Sequence, residues 1–168
     1  MEITGKISLY GALRFCMLVK QFLSFAFVLP IMISCSKSGV VEQRIGDRVN
    51  TCKPTEACII NIKELTDFQW DKMFVFTSGA RNEDIDKAIG IKYPDFVEFT
   101  RLMVFTKDGK IVHREKESTN IEGAVNGQVN FEGSYVDRFS LYMSDTALFR
   151  AEKIELKGGR VYRLTQVK

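Results

Sequence analysis

The sequence predicts an α+β fold: one small domain with a largely antiparallel β-sheet and one or two short helices. Three observations support this prediction. About seven short segments are rich in aromatic and β-branched residues and are bounded by turn residues, as β-strands are. Two pairs of these segments are joined by hairpin turns, at Asp108-Gly109 and at Gly158-Gly159. The segment after Asn82 has apolar residues at the spacing of an amphipathic helix.

The first half of the domain is predicted to contain three strands and one helix. Strands are expected at 58–62, at 68–76 and at 100–106, because each is a run of aromatic and branched residues. Asn82 is a preferred residue at a helix N-terminus, and acidic residues follow it in the first turn. Gly90 has the freedom to end that helix. The helix therefore connects the second and third strands.

The second half is predicted to be mostly β-structure. The turn at 107–110 leads back into a partner strand because Asp-Gly tolerates the positive φ angles of tight hairpins. Phe139, Leu141 and Met143 alternate with Ser140 and Tyr142, which predicts a half-buried strand with these three apolar side chains on one face. Strands are thus expected at 111–116, 139–143, 152–156 and 160–167.

Composition and charge narrow the classes of function. The 168 residues include 24 Lys+Arg, 21 Asp+Glu and 45% hydrophobic residues, which is typical of a folded domain rather than a disordered chain. A formal net charge of +3 is too small to indicate a nucleic-acid partner. One His and four scattered Cys provide few metal ligands. We therefore predict no nucleic-acid partner, no cofactor and no metal.

An uncharged apolar stretch occupies residues 21–34, between Lys20 and Lys37. As a helix it would span about 21 Å, which is too short to cross the ~30 Å hydrocarbon core of a membrane. Its length and its flanking residues are instead typical of a secretory signal peptide. We expect residues 1–34 to be a signal peptide, with Met17 as an alternative translation start because it would give a compact, positively charged beginning.

The signal stretch ends in Met32-Ile33-Ser34-Cys35-Ser36. This motif resembles the lipobox of bacterial lipoproteins, apart from Met32 where Leu is usual. The resemblance implies that Cys35 is lipidated and becomes the mature N-terminus. Three acyl chains would anchor the protein permanently in a membrane. The residue after the cysteine is Ser36 and not Asp. By the same resemblance, this implies that the protein is anchored in the outer membrane and faces the periplasm if the cell has two membranes. Cleavage near Ser34 without lipidation is the alternative.

The chain after the anchor is predicted to begin as a flexible tether. Residues 35–51 are polar with few bulky apolar side chains, and the globular domain is expected at 52–168. Cys52 and Cys58 are the only thiols left once the leader and the lipidated cysteine are set aside. Exported thiols are normally oxidised, so we predict a disulfide between them; two free thiols are the alternative for a cytoplasmic protein.

The sequence contains no clear catalytic constellation. His113 is the only histidine, and charged neighbours suggest that it lies on a solvated strand. Asp67 and Asp71 border the aromatic strand, where turn residues are a simpler interpretation than an acid–base pair. Cys52, Cys58 and His113 are one ligand short of a tetrahedral zinc site. We predict no catalytic, cofactor-binding or metal-ligating residue, and hence a protein that is not an enzyme.

Four aromatic residues of the second predicted strand are separated from one another by an even number of positions. We expect them to project from one face of that strand into the core, with Trp70 as the main anchor. A ligand- or peptide-binding surface is the alternative for such a stripe. The residues are Phe68, Trp70, Phe74 and Phe76.

Three motifs resemble those of a group of small, uncharacterised bacterial lipoproteins. They are the aromatic segment at 65–76, the helix ending in Ile89-Gly90, and the hairpin at 102–112. Members of the group share a DF-WD strand, a short helix ending in Ile-Gly or Leu-Gly, and a VF-DGK-V hairpin. The resemblance covers residues 58–112 and implies location and domain type, but no site residues.

We therefore expect a lipid-anchored protein of the bacterial cell envelope that has a structural role or binds another envelope protein. Two alternatives remain open. One is an immunity-type protein that neutralises an envelope-targeting toxin. The other is an envelope hydrolase, for which a deep pocket containing His113 and a carboxylate would be the sign.

Overall fold

A computed structural model describes residues 39–53, 55–118, 126–133, 138–157 and 159–167. These ranges contain two α-helices, one short 3₁₀ helix and eight strands. The predicted α+β class with mostly antiparallel strands is confirmed. In chain order the elements are α1 (Val40–Thr51), β1 (Cys58–Asn61), the 3₁₀ helix (Ile62–Leu65), β2 (Lys72–Phe76), α2 (Asn82–Ile89), β3 (Thr100–Lys107), β4 (Lys110–Ser118), β5 (Gln128–Glu132), β6 (Phe139–Met143), β7 (Leu148–Leu156) and β8 (Gly159–Gln166).

The strands form two four-stranded sheets. Sheet A has the order β1-β7-β8-β5, and sheet B has the order β4-β3-β2-β6. Neighbouring strands are antiparallel except for β5 and β8, which are parallel. Asp108 and Gly109, with φ angles of 49° and 72°, form the predicted tight turn between β3 and β4. Both predicted hairpins, β3–β4 and β7–β8, are present.

The larger apolar core lies between the inner faces of the two sheets. Sheet B contributes Met73 and Phe105, and sheet A contributes Phe149 and Leu164; all four side chains have no exposed surface. Burying a side chain of this size stabilises the fold by about 1.5–3 kcal/mol. This core therefore joins the two sheets into one domain.

Helix α2 covers part of the outer face of sheet B. Ile85 and Ile89 pack in a second apolar cluster with Phe74, Phe76 and Val104. Strands β2 and β3 are thus buried on both faces, which explains why they are apolar along nearly their whole length. Helix α2 begins at Asn82, and Gly90 ends it with a left-handed φ of 78°.

The prediction of a flexible tether is wrong for residues 40–51, which form helix α1. Val41, Ile45 and Val49 recur every four residues and are buried in the inner core. The other helix positions are mostly polar, so the apolar stripe is narrow and the composition is similar to that of a linker. The folded domain therefore includes α1 and does not begin at Cys52.

The largest other differences from the prediction are two strand boundaries and one additional strand. Strand β2 begins at Lys72, four residues later than expected, and β7 begins at Leu148, four residues earlier. Strand β5 was not predicted; its buried Val129 and Phe131 alternate with partly exposed polar residues over only five positions. Short alternating runs of this kind give a weak sequence signal.

Candidate functional site

The structure brings Cys52 and Cys58 together and forms the predicted disulfide. Their Cα atoms are 5.6 Å apart, within the range that a disulfide requires. Cys52 directly follows α1 and Cys58 begins β1, so the bridge fastens the end of the helix to the edge of sheet A. Cys35, the predicted lipidation site, lies outside the described residues.

A groove of about 550 Å³ lies beside this disulfide. Its lining includes charged side chains of both signs from the disulfide loop and from β7. Lys53 Nζ lies 3.2 Å from Glu56 Oε1 across part of it. The other charged lining residues are Arg150, Glu152 and Lys153. The mixture of charges gives this groove no preference for an anion or a cation.

Sequence analysis predicted that His113 lies on a solvated strand, but in the structure its side chain is largely covered. Its side chain is only 27% exposed, and its ring stacks on Phe68 with centroids 4.5 Å apart. Its Nε2 lies 2.8 Å from Oε1 of Glu115, two residues further along β4. The two residues point to the same side of the strand, and the sheet directs that side towards the core. The prediction was wrong because charged sequence neighbours do not determine which face of a strand is buried.

Glu115 binds the N-terminus of helix α1. Its side chain is 5% exposed, and its Oε1 and Oε2 accept hydrogen bonds from the N–H groups of Val41 (2.7 Å) and Glu42 (3.3 Å). A carboxylate here satisfies unpaired N–H groups and favours the positive end of the helix dipole. A β-carbon on Gly39 would lie 2.1 Å from Glu115 Oε2, so glycine makes room for this contact. The His113–Glu115 pair thus has a structural role in holding α1.

Asp67 and Asp71 do not form an acid–base pair, because each has a different partner. Asp67 Oδ2 lies 2.9 Å from Nη2 of Arg44, and this hydrogen bond lowers the pKa of Asp67 below its ordinary value. Asp71 Oδ2 accepts the N–H of Asp108, in the β3–β4 turn, at 2.9 Å. The interpretation of both as turn and boundary residues agrees with these contacts.

The four aromatic residues of the predicted stripe do not share one face. Trp70 is 4% exposed in the inner core, as predicted, and its Nε1–H donates to Thr66 Oγ1 at 3.1 Å. Phe74 and Phe76 instead pack in the outer cluster under α2. The even spacing is broken because the chain is irregular before Lys72, so the alternation of a strand does not extend back to Trp70.

A second open groove, of about 510 Å³, lies along this irregular segment. Phe68 and Trp70 line it together with charged and polar side chains. Lys107 donates a hydrogen bond to Gln69 Oε1 at its rim. The remaining lining residues are Lys63, Thr66, Asp67, Asp71 and Ser144.

Within the described ranges, no cluster of three His, Cys, Asp or Glu residues could hold a metal ion. Both cysteines of the hypothetical zinc set, Cys52 and Cys58, are joined in the disulfide and are not available as thiolate ligands. No helix of the described part of the chain is long and apolar enough to cross a membrane.

In strand β6 the face that meets the inner core is the opposite of the one that its sequence suggests. Tyr142 is buried in the inner core, whereas Leu141 and Met143 are 46% and 41% exposed. Tyr142 fills the space beside Phe131 and Phe149, with ring centroids 5.8 Å and 5.0 Å away. The bulkier aromatic ring thus occupies the core, which leaves two apolar side chains exposed on the outer face of sheet B.

The two edges of sheet B differ sharply in charge. Edge strand β4 contains five Lys, Arg and Glu residues, whereas edge strand β6 contains none. Charged side chains on an edge strand discourage pairing with other chains, and uncharged edges lack this protection. The surface of β6, which presents Leu141 and Met143 beside the partly buried Phe139, is therefore one candidate binding surface of the domain; we call it the β6 surface.

Comparison of the chain with protein-family profiles, with curated proteins and with solved structures found no match.

Sequence reasoning missed Glu115 and the β6 surface. Glu115 contacts a helix 74 positions away in the chain, and no local pattern reports such a contact. The absence of charge between Arg138 and Asp145 was visible in the sequence and could have indicated the unprotected edge.

Proposed function

We propose that this chain is an exported, lipid-anchored protein of the bacterial envelope, a member of the group of small lipoproteins it resembles, whose domain binds another protein. The Cys52–Cys58 disulfide is the observation that supports export most directly. Structural disulfides persist in oxidising compartments and are rare in the cytosol. The anchor in this proposal is Cys35, at the end of the apolar stretch 21–34.

The position of α1 sets how far the domain can lie from its anchor. Four residues, 36–39, separate Cys35 from the first residue of α1. A fully extended chain advances at most about 3.6 Å per residue, so Val40 would lie within about 18 Å of the lipidated cysteine. In this proposal the link between the lipid and the domain is short.

A binding role is supported by the β6 surface. Large exposed apolar side chains on an open sheet edge are typical of surfaces that contact other proteins. Leu141 and Met143 provide such side chains on an edge strand without charge. The domain in this proposal is thus a binding module and not an enzyme.

Metabolic labelling with an alkyne analogue of palmitate tests the anchor. We expect wild-type protein to incorporate the label and to remain with membranes after an alkaline carbonate wash. Cys35→Ser should abolish incorporation because it removes the thioether site. Cys16→Ser is the matched control, since it removes a cysteine of the leader, and labelling should be unchanged. Continued labelling and membrane retention of Cys35→Ser would overturn the proposal.

A further inference from the structure

We propose that an exposed apolar patch, formed by Val40, Val97 and Phe99, contacts the lipid of the membrane that holds the anchor. This inference rests on the proposed lipidation of Cys35 and adds a second, noncovalent contact between the domain and the same membrane. It follows from the exposure of the three side chains, from their common position beside β4 and from the short chain before them.

The side chains of the apolar patch are the three most exposed large apolar side chains among the described residues. Phe99 is 67% exposed, Val40 is 54% exposed and Val97 is 52% exposed. Single exposed apolar residues are ordinary, but a cluster of them indicates a surface that contacts a protein or a membrane. The backbone of Phe99 also has a left-handed φ of 55°, which bulky residues rarely adopt and which is typical of functional sites.

The apolar patch is assembled around one part of strand β4. Gly39, which precedes Val40, lies so close to this strand that a β-carbon on it would be 2.8 Å from Cβ of Glu115. The next residue of β4, Lys116, lines a small cavity together with Val97. Because Glu115 and Lys116 are adjacent, the start of α1 and the loop that contains Val97 approach the same part of β4.

The loop that contains Val97 and Phe99 is held against β4 by polar contacts. Asp95 Oδ2 lies 2.7 Å from Nη2 of Arg114, and the Asp95 carbonyl accepts a hydrogen bond from Lys116. Phe99 directly precedes β3, whose first residue pairs with the last residue of β4. The patch is therefore presented by a fixed part of the fold, which keeps the entropic cost of a contact low.

The short chain before Val40 favours lipid as the occupant of the apolar patch. Cys35, the proposed lipidation site, is five positions before Val40, so even a fully extended link would keep the two within about 18 Å of each other. A link of this length gives the patch a high effective concentration of membrane, so a contact of three side chains suffices. A partner protein has no such advantage at this place.

Acyl chains, and not charged headgroups, are the expected contact. Glu98 lies between Val97 and Phe99 in the sequence and is exposed, which disfavours attraction to anionic headgroups. Membrane contact through apolar side chains depends instead on the apolar area that leaves water. Strand β6 is at the opposite edge of sheet B from β4, so the β6 surface stays open to another protein.

Quenching of tryptophan fluorescence by brominated lipid tests this inference. The full chain, purified from envelopes after palmitate labelling, is reconstituted into phosphatidylcholine vesicles with and without bromine on the acyl chains. Phe99→Trp should lose much of its fluorescence in the brominated vesicles, because its indole ring would lie at the acyl boundary. Leu141→Trp is the matched control and should lose little, since Leu141 is exposed at the opposite edge of sheet B. Wild-type protein gives the background from the buried Trp70.

Val40→Trp gives a second measurement, which decides the test if Phe99→Trp does not fold. It should be quenched in the same way, and the quenching should persist at high salt because salt screens charges and not apolar contacts. Labelled protein in which these variants are quenched no more than Leu141→Trp would overturn the inference and leave the lipid anchor standing. Protein without the palmitate label would instead refute the proposed anchor, and this inference with it.

Discussion

Asp84 shows how one side chain connects two elements. Its Oδ2 accepts the N–H of Arg81 at 3.0 Å, which caps helix α2, and lies 3.4 Å from Nη1 of Arg138, which precedes β6. The hydrogen bond from the Arg81 backbone, with a further one from its side chain, lowers the pKa of Asp84 below its ordinary value. The sequence predicted Asn82 as the N-cap residue of α2. In the structure Arg81 is the N-cap residue, and the Asp84 carboxylate accepts the hydrogen bond from its N–H.

Asp84→Asn should lower the stability of the domain near neutral pH, with a difference that disappears in acid. Because the folded-state pKa of Asp84 is lowered, its contribution is present above the unfolded-state pKa and is lost as pH falls through the folded-state value. Urea denaturation of both proteins across the acid range measures this. Asp47→Asn, on the exposed side of α1, is the control and should show a much smaller difference. A difference that stays constant down to the lowest pH would contradict the assignment.

Some single-residue roles could be predicted from the sequence and others could not. The burial of Trp70 followed from its aromatic neighbours, since a large ring in such a segment is usually buried. The pairing of Cys52 with Cys58 followed from the cysteine count. The role of Glu115 depends on where helix α1 docks, and charged residues are rarely buried without a specific partner. Such a partner is visible only in three dimensions.

Helix α1 is the element that links the two sheets. Val41 and Ile45 pack in the inner core, and Asn50 Nδ2–H donates to the Tyr162 hydroxyl on sheet A at 2.8 Å. A β-carbon on Gly46 would lie 2.9 Å from the Tyr162 ring, so the helix approaches this strand closely. Glu115 on β4 fastens the other end of α1 to sheet B.

Glu115→Ala should destabilise the domain by about 1–3 kcal/mol, because it leaves buried N–H groups of α1 without an acceptor. Glu115→Gln keeps one side-chain oxygen as an acceptor and should lose less. Chemical denaturation measures the free energy of unfolding, and amide hydrogen exchange at Val41 reports on the helix start. If Glu115→Ala were as stable as wild type with unchanged exchange at Val41, the carboxylate would not be the cap.

Among the secondary-structure elements, the sequence predicted the strands better than it predicted helix α1. Strands β2 and β3 are buried on both faces and give long apolar runs. Helix α1 buries a narrow stripe of three side chains, so its composition is similar to that of a linker. The outward face of β6 was also not predictable, because alternation sets the period of a strand but not which face meets the core.

Within the described part of the chain, sheet A, sheet B and helix α2 form three layers. The outer face of sheet A is charged, with Arg163 lying 3.1 Å from Glu132 and 3.7 Å from Glu152 across three strands. The outer face of sheet B is partly covered by α2 and partly open at β6. Its two edges have different roles in this account, since β4 holds the start of α1 and β6 provides the binding surface.

The central claim is that this domain is exported and attached to a membrane through Cys35, and intact mass spectrometry of the protein purified from envelopes tests it most directly. The account predicts a chain that begins at Cys35 and carries three acyl chains, with Cys52 and Cys58 alkylated only after reduction. A mass that retains leader residues without lipid, together with alkylation of both cysteines in the absence of reductant, would contradict the account.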